Sequence, residues 1–110
     1  MKLYLDTSTP KTILKLDDKI YEWESNRNLG RDLLKFIHDQ LSANHKDWSD
    51  LTELHFFTGP GSFTGLRIGA TIINTLSHEL NLPIFDQTGT KLQLALPNYG
   101  KPANTTSPKK

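Results

Sequence analysis

The residues most able to do chemistry lie in one stretch, Thr58-Gly59-Pro60-Gly61-Ser62-Phe63-Thr64-Gly65-Leu66-Arg67-Ile68-Gly69. Glycines and a proline stand where a strand hands over to a helix. Gly59 and Gly61 can take backbone angles closed to other residues, and Pro60 stiffens the turn. Ser62 or Thr64 is placed to cap the helix. The free amides of its first turn, with the helix dipole behind them, would then favour a phosphate or carboxylate. Arg67 lies one turn into the helix, and a guanidinium suits either anion. It serves equally as a surface arginine or an inter-subunit ion pair. The stretch also fits a plain strand-to-helix turn that needs glycine. It is neither a Walker A loop, for want of the lysine, nor a dinucleotide fingerprint, for want of the spacing. A third use is packing: Gly65 and Gly69 share a helical face, and Leu66, Gly69, Ile73, Leu76 and Leu80 keep the three-four spacing of a helix-helix seam. Burial against the chain's own sheet satisfies the same pattern, and Ile68 and Ile72 add a second apolar side.

Other reactive side chains are sparse. Asp6, with Thr7 and Ser8, ends the first strand, where a carboxylate could hold magnesium or activate water; an Asp bonding its own turn amides is the simpler expectation. Ser62 lacks the Gly-x-Ser-x-Gly elbow. His38, His45, His55 and His78 contain no pair four apart, so two adjacent helical metal ligands are not expected.

These residues need a scaffold. Leu3 and Leu5 alternate with polar neighbours and predict a strand. Thr12 to Leu16 and Lys19 to Trp23 predict a hairpin turning at Asp17-Asp18. Leu29, Leu33, Phe36, Ile37 and Leu41 then make one helical face, with Ser25 or Asn26 as its cap. Leu54 to Thr58 predicts a fourth strand, Phe63 to Leu80 a second helix, and Ile84 to Asp86 a fifth strand. Thr90 to Leu96 predicts a short last helix. The order βββαβαβ demands right-handed crossovers. Strands 1, 4 and 5 are therefore expected to be parallel, with the hairpin at one edge of a mixed five-stranded sheet covered by helices. Such sheets occur in ribonuclease H-like and actin-like ATPase lobes, an analogy of architecture. Residues 1–97 form this lobe; 98–110, polar and rich in Pro, Asn, Thr and Lys, are expected to be a disordered tail.

Composition sets the class. The 110 residues carry a net charge of +1, so nucleic acid or an anionic membrane would not be gripped by the whole chain's field. There is no cysteine, which excludes disulfides and thiol catalysis. Neither a signal peptide nor a membrane-length apolar run is present, and a soluble cytoplasmic protein is expected.

Gly59-Pro60-Gly61-Ser62-Phe63-Thr64-Gly65-Leu66-Arg67-Ile68-Gly69 resembles the signature of the TsaB (YeaZ) family. Leu5-Asp6-Thr7-Ser8 resembles its first strand and turn, and Leu82-Pro83-Ile84 after the second helix also fits it. The resemblance spans the N-terminal lobe of that family, whose members usually carry a second lobe. It implies a non-catalytic partner, without cofactor or metal, of the catalytic subunit TsaD in forming threonylcarbamoyladenosine at position 37 of tRNA. The ATPase TsaE would join them, and tRNA would be met only through the complex. Catalysts of that pathway carry a His-x-x-x-His pair, which is missing here. Partner contacts are expected from Leu29, Leu33, Ile37, Gly65, Leu66, Gly69, Ile73 and Leu76, as half of a helical bundle completed by TsaD or by a second copy. The rival expectation is a small actin-like lobe that binds nucleotide or phosphate itself.

Overall fold

The computed structural model describes residues 1–24 and 29–98. Strands β1 (Lys2–Asp6), β2 (Lys11–Leu16) and β3 (Lys19–Glu24) are followed by helix α1 (Leu29–Ala43) and a 3-10 turn (Trp48–Asp50). Then come β4 (Glu53–Phe56), α2 (Phe63–Leu80), β5 (Ile84–Phe85) and β6 (Lys91–Leu92). The sheet order is β3-β2-β1-β4-β5-β6. β1, β4 and β5 are parallel neighbours, and β2 and β3 extend the sheet antiparallel at the β1 edge. This is the expected arrangement, with Asp17 at φ 54° turning the hairpin. The proposed cap of α1 at Ser25 or Asn26 lies outside the described residues.

One expectation is corrected: the sheet has six strands, because Lys91–Leu92 pairs antiparallel with β5 where a terminal helix was expected. The cause is local. The Asp86 carboxylate accepts from the Thr88 and Thr90 amides and from the Thr88 hydroxyl, closing a tight turn through Gly89 at φ +86°. That turn folds the chain back along β5. Beyond β6 the chain bends at Gln93 and Leu94 and continues without regular structure to Asn98. The Asn74 side chain, on α2, both donates to the Ala95 carbonyl and accepts from its amide, and Ala95 is buried. Asn98, assigned to the tail by composition, donates its amide to the Thr58 carbonyl.

Both helices lie on the same face of the sheet, and one core joins them to it. The alternating residues Leu3, Leu5, Leu14, Leu16, Leu54, Phe56 and Ile84 meet Leu33, Ile37 and Leu41 of α1 and Leu66 and Ile73 of α2. Trp23, on β3, stacks on Phe36 at 4.9 Å and extends the core toward the sheet edge. No helix among the described residues is long and apolar enough to cross a membrane.

Candidate functional site

The glycine-rich loop meets the turn after β1. Ser62 is the N-cap of α2, its Oγ accepting from the Gly65 amide at 3.2 Å. The Ser62 amide donates to the Ser8 carbonyl at 2.7 Å, which fastens the loop to the turn. Thr7, fully buried, donates its hydroxyl to the Gly65 carbonyl at 2.6 Å, across 58 positions of sequence. Asp6 holds the turn itself, its carboxylate accepting from the Ser8 amide and hydroxyl at 2.8 and 2.6 Å. The expected Asx geometry is what Asp6 adopts.

This contact explains the glycines. A Cβ on Gly61 would overlap Ser8, one on Gly65 would overlap the Thr7 carbonyl oxygen, and one on Gly69 would overlap the Thr7 hydroxyl. Gly59, at φ +120°, takes a backbone conformation that side chains resist, and its absent Cβ makes room for the Asn98 carbonyl. Gly61 is not in the left-handed region, so its requirement is space and not backbone angle.

Gly65 and Gly69 allow close approach, but the element they admit is the chain's own β1 turn. Leu29, Leu33, Ile37, Leu66, Ile73 and Leu76 are likewise turned into the chain's own core and present almost no surface to a partner. On the inner side of the loop, against Gly61, Gly65 and Gly69, lie Thr7 and Ser8.

What remains outward is different. Between α1 and α2 runs a groove of about 390 Å³ lined by Gly30, Thr64, Arg67, Ile68, Thr71 and Ile72. Thr71 and Thr75 donate their hydroxyls back to the Arg67 and Thr71 carbonyls, which leaves their methyl groups to face outward. Phe63, 57% exposed, lies at one end with the Arg67 guanidinium 5.5 Å from its ring centre, and Leu34 is 40% exposed on α1. Pro60 and Thr64 are exposed as well. Sequence reasoning missed Gly30, Thr71 and Leu34; the second apolar side at Ile68 and Ile72 was the available signal.

The histidines are dispersed. His38 stacks on Trp48, His55 bonds Glu53 at 2.7 Å and stacks on Phe85, His45 sits in the turn after α1, and His78 lies in the last turn of α2. The His55 bond holds the Glu53 carboxyl below its ordinary value. Among the described residues no group of three or more His, Cys, Asp or Glu side chains could hold a metal ion.

Comparison with known proteins follows from this arrangement. The model of the family "TsaD: tRNA N6-adenosine threonylcarbamoyltransferase" matches residues 23–86, more than half of the chain. The chain belongs to this family. Among its relatives is the tRNA threonylcarbamoyladenosine biosynthesis protein TsaB of Buchnera aphidicola subsp. Baizongia pistaciae, 36% identical over 63 residues, which are 57% of this chain and 28% of the relative. TsaB of Bacillus subtilis is 40% identical over 48 residues, 44% of this chain and 21% of the relative. YeaZ from Pseudomonas aeruginosa superposes with a TM-score of 0.67 at 28% identity, covering 77% of this chain and 42% of that one. A second structure, of a protein described as similar to peptidase YEAZ from Pseudomonas aeruginosa, gives 0.68 with 41% of its chain covered. The fold is the actin-like, ribonuclease H-like lobe of YeaZ. The chain spans about a quarter of the length of these TsaB relatives.

Proposed function

We propose that the chain acts in tRNA threonylcarbamoyladenosine biosynthesis as a non-catalytic partner of the threonylcarbamoyltransferase TsaD, with the ATPase TsaE as a further member and tRNA met only through the complex. The observation that carries this reading is the outward groove between α1 and α2. Among the described residues it joins apolar surface from Ile68, Ile72 and the threonine methyls to one lining cation, Arg67, beside the exposed ring of Phe63. An apolar seam with one charged anchor suits a helical partner, and aromatic and arginine side chains are the ones that most often anchor interfaces. A homodimer through the same groove is the homotypic form of this contact.

The rival, a lobe that binds nucleotide or phosphate, is disfavoured because the Ser62 and Gly65 amides are already engaged within the chain. The Ser62 amide and the Gly65 carbonyl are both engaged by the β1 turn.

The test mixes the purified chain with TsaD and follows association by sedimentation and modification by nucleoside analysis. Arg67→Ala, which removes an exposed side chain, stays folded and supports modification at least tenfold less well. Ile68→Glu weakens association similarly. Full support from a folded Arg67→Ala chain refutes the role of Arg67. Full association of Ile68→Glu refutes the groove. Saturable binding of ATP with magnesium to the chain alone supports the rival.

A further inference from the structure

β3 is the outermost strand of its side of the sheet, and one flank of α1 meets it. We propose that this corner receives an extended, arginine-bearing segment of a partner protein, which adds to the β3 edge and sets an arginine beside Trp23. Asp32, Lys35, Phe36 and Asp39 recur at helical spacings of three and four, on the flank of α1 away from the α2 groove. With Trp23 they line a cavity of about 350 Å³. Toward the start of β3 the same flank is closed. There Lys19 donates to the Asn44 side-chain oxygen and Asn44 donates to the Tyr21 hydroxyl, both at 2.7 Å. The cavity thus lies at the Trp23 end.

The lining selects a planar cation. Trp23 and Phe36 stack 4.9 Å apart, which leaves one face of each ring outside the stack, and such a face attracts a cation. Asp32 and Asp39 stand two helical turns apart, roughly 10 Å, with Phe36 between them. Both are partly exposed, and their partners are exposed neighbours on the same helix, Arg31 at 3.2 Å and Lys35 at 3.0 Å. Ion pairs of that kind hold weakly in water, so an incoming guanidinium can take over the carboxylates. Arginine both stacks on rings and forks onto carboxylates, as lysine does not. Thr12, paired with Trp23 across the sheet, is fully buried, and its hydroxyl meets no hydrogen-bond partner among the described residues. A buried hydroxyl left in this way marks a corner that the chain's own groups satisfy incompletely.

The strand edge selects an extended chain and disfavours a second copy. An edge strand offers main-chain donors and acceptors, and the side chains of a strand added to it alternate between the two faces. On the helix side they land beside Tyr21 and Trp23, and on the other side beside Ile20, Glu22 and Glu24. A dimer through this edge would pair β3 antiparallel with itself about a two-fold axis, so only residues of the same parity would face each other. Centring on Ile20 sets Asp18 opposite Glu22, and centring on Tyr21 sets Asp18 opposite Glu24. Centring on Glu22 sets it opposite its own copy, and centring on Trp23 sets Glu22 opposite Glu24. Every register confronts carboxylates, which destabilises the pairing. Cationic side chains on a partner's strand suit the same positions.

The experiment titrates the full chain with labelled nine-residue peptides of valine and threonine that carry alternate arginines, citrullines or glutamates. Affinity is read by fluorescence anisotropy and location by NMR. The arginine peptide is expected to bind at least tenfold tighter than the other two and to shift the amides of Ile20 to Glu24 and the Trp23 indole. Asp32→Asn/Asp39→Asn, which alters only partly exposed side chains and keeps the fold, should lower that affinity at least tenfold. N-methylation of alternate peptide amides should abolish binding in one phase of the alternation and spare it in the other. No binding, equal affinity for the three peptides, or unchanged affinity of the double variant would overturn the proposal. So would methylated peptides that behave alike, shifts confined to the groove between α1 and α2, or a dimer of the chain that protects the β3 amides. A tenfold gain in affinity from Arg27→Gln, or from Lys101→Gln/Lys109→Gln/Lys110→Gln, would overturn it too, because the chain's own cations would then hold the pocket.

Discussion

Replacing Gly65 with alanine separates the two uses of the glycine pair. On an exposed helix the change stabilises by about 1 kcal/mol, since alanine is the better helix former. At Gly65 the new Cβ would overlap the Thr7 carbonyl oxygen, a backbone atom with no rotamer to yield. α2 must therefore move away from β1 or tilt, and overpacking of this kind costs about 1–3 kcal/mol. The same movement stretches the buried Thr7 hydroxyl bond to the Gly65 carbonyl, a contribution of about 1 kcal/mol. The sum, after the propensity gain, is a loss of about 1–3 kcal/mol. For a domain of this size it lowers the melting temperature by at least about 4 °C. Urea denaturation followed by circular dichroism measures it. Gly30→Ala is the control: it is exposed, and its Cβ would touch the Ile68 side chain at an ordinary 3.7 Å, so stability should hold or rise. If Gly65→Ala is as stable as the parent, the close approach of α2 to the β1 turn is misjudged.

Thr7→Val keeps volume and removes the buried hydroxyl bond to the Gly65 carbonyl, which keeps its partner within the helix; chemical denaturation should show a loss of about 1 kcal/mol. Asn74→Ala frees both backbone groups of Ala95 and should speed amide exchange there while leaving β1 and β4 protected. The depressed Glu53 carboxyl predicts a pH effect of definite sign. Its stabilisation is present above the ordinary value of 4.5 and is lost as pH falls through the lower folded value. Melting curves recorded below pH 4.5 should therefore fall less steeply for Glu53→Gln than for the parent, and parallel curves would count against the His55 bond.

Much of the fold was legible because its signals are local. α2 begins at a serine whose side chain caps it and ends at Asn81 in the left-handed conformation, and both are one-residue decisions. The hairpin needed only Asp17-Asp18 between two alternating runs. The missed element, β6, carried its own signal, since Leu92, Leu94 and Leu96 alternate as in a strand. What suppresses a helix there is the Asp86 turn before it and the grip of Asn74 on Ala95, a contact 21 positions away. The site was legible in part. That Gly65 and Gly69 share a face follows from helical period alone. Which surface that face meets does not, because Thr7 arrives from 58 positions away.

That distinction changes what the signature loop can be said to do. A glycine-rich strand-to-helix turn reads as an anion cradle only while its amides stay free. Here the Ser62 amide is taken by Ser8, the Gly65 amide by Ser62, and the Gly65 carbonyl by Thr7. The glycines thus draw α2 down onto β1, and this close approach has a consequence on the opposite side of the helix. With its small residues spent inward, α2 turns Arg67, Ile68 and Thr71 outward beside Gly30 of α1. Architecture and interaction are then two faces of one helix, in which the inward face sets the height of the outward one. A substitution at Gly65 that lifts α2 should accordingly weaken association with TsaD even though Gly65 touches no partner. Arg67→Ala should weaken association without altering stability. Measured together, the two variants distinguish a loop that shapes the groove from a loop that binds a ligand of its own.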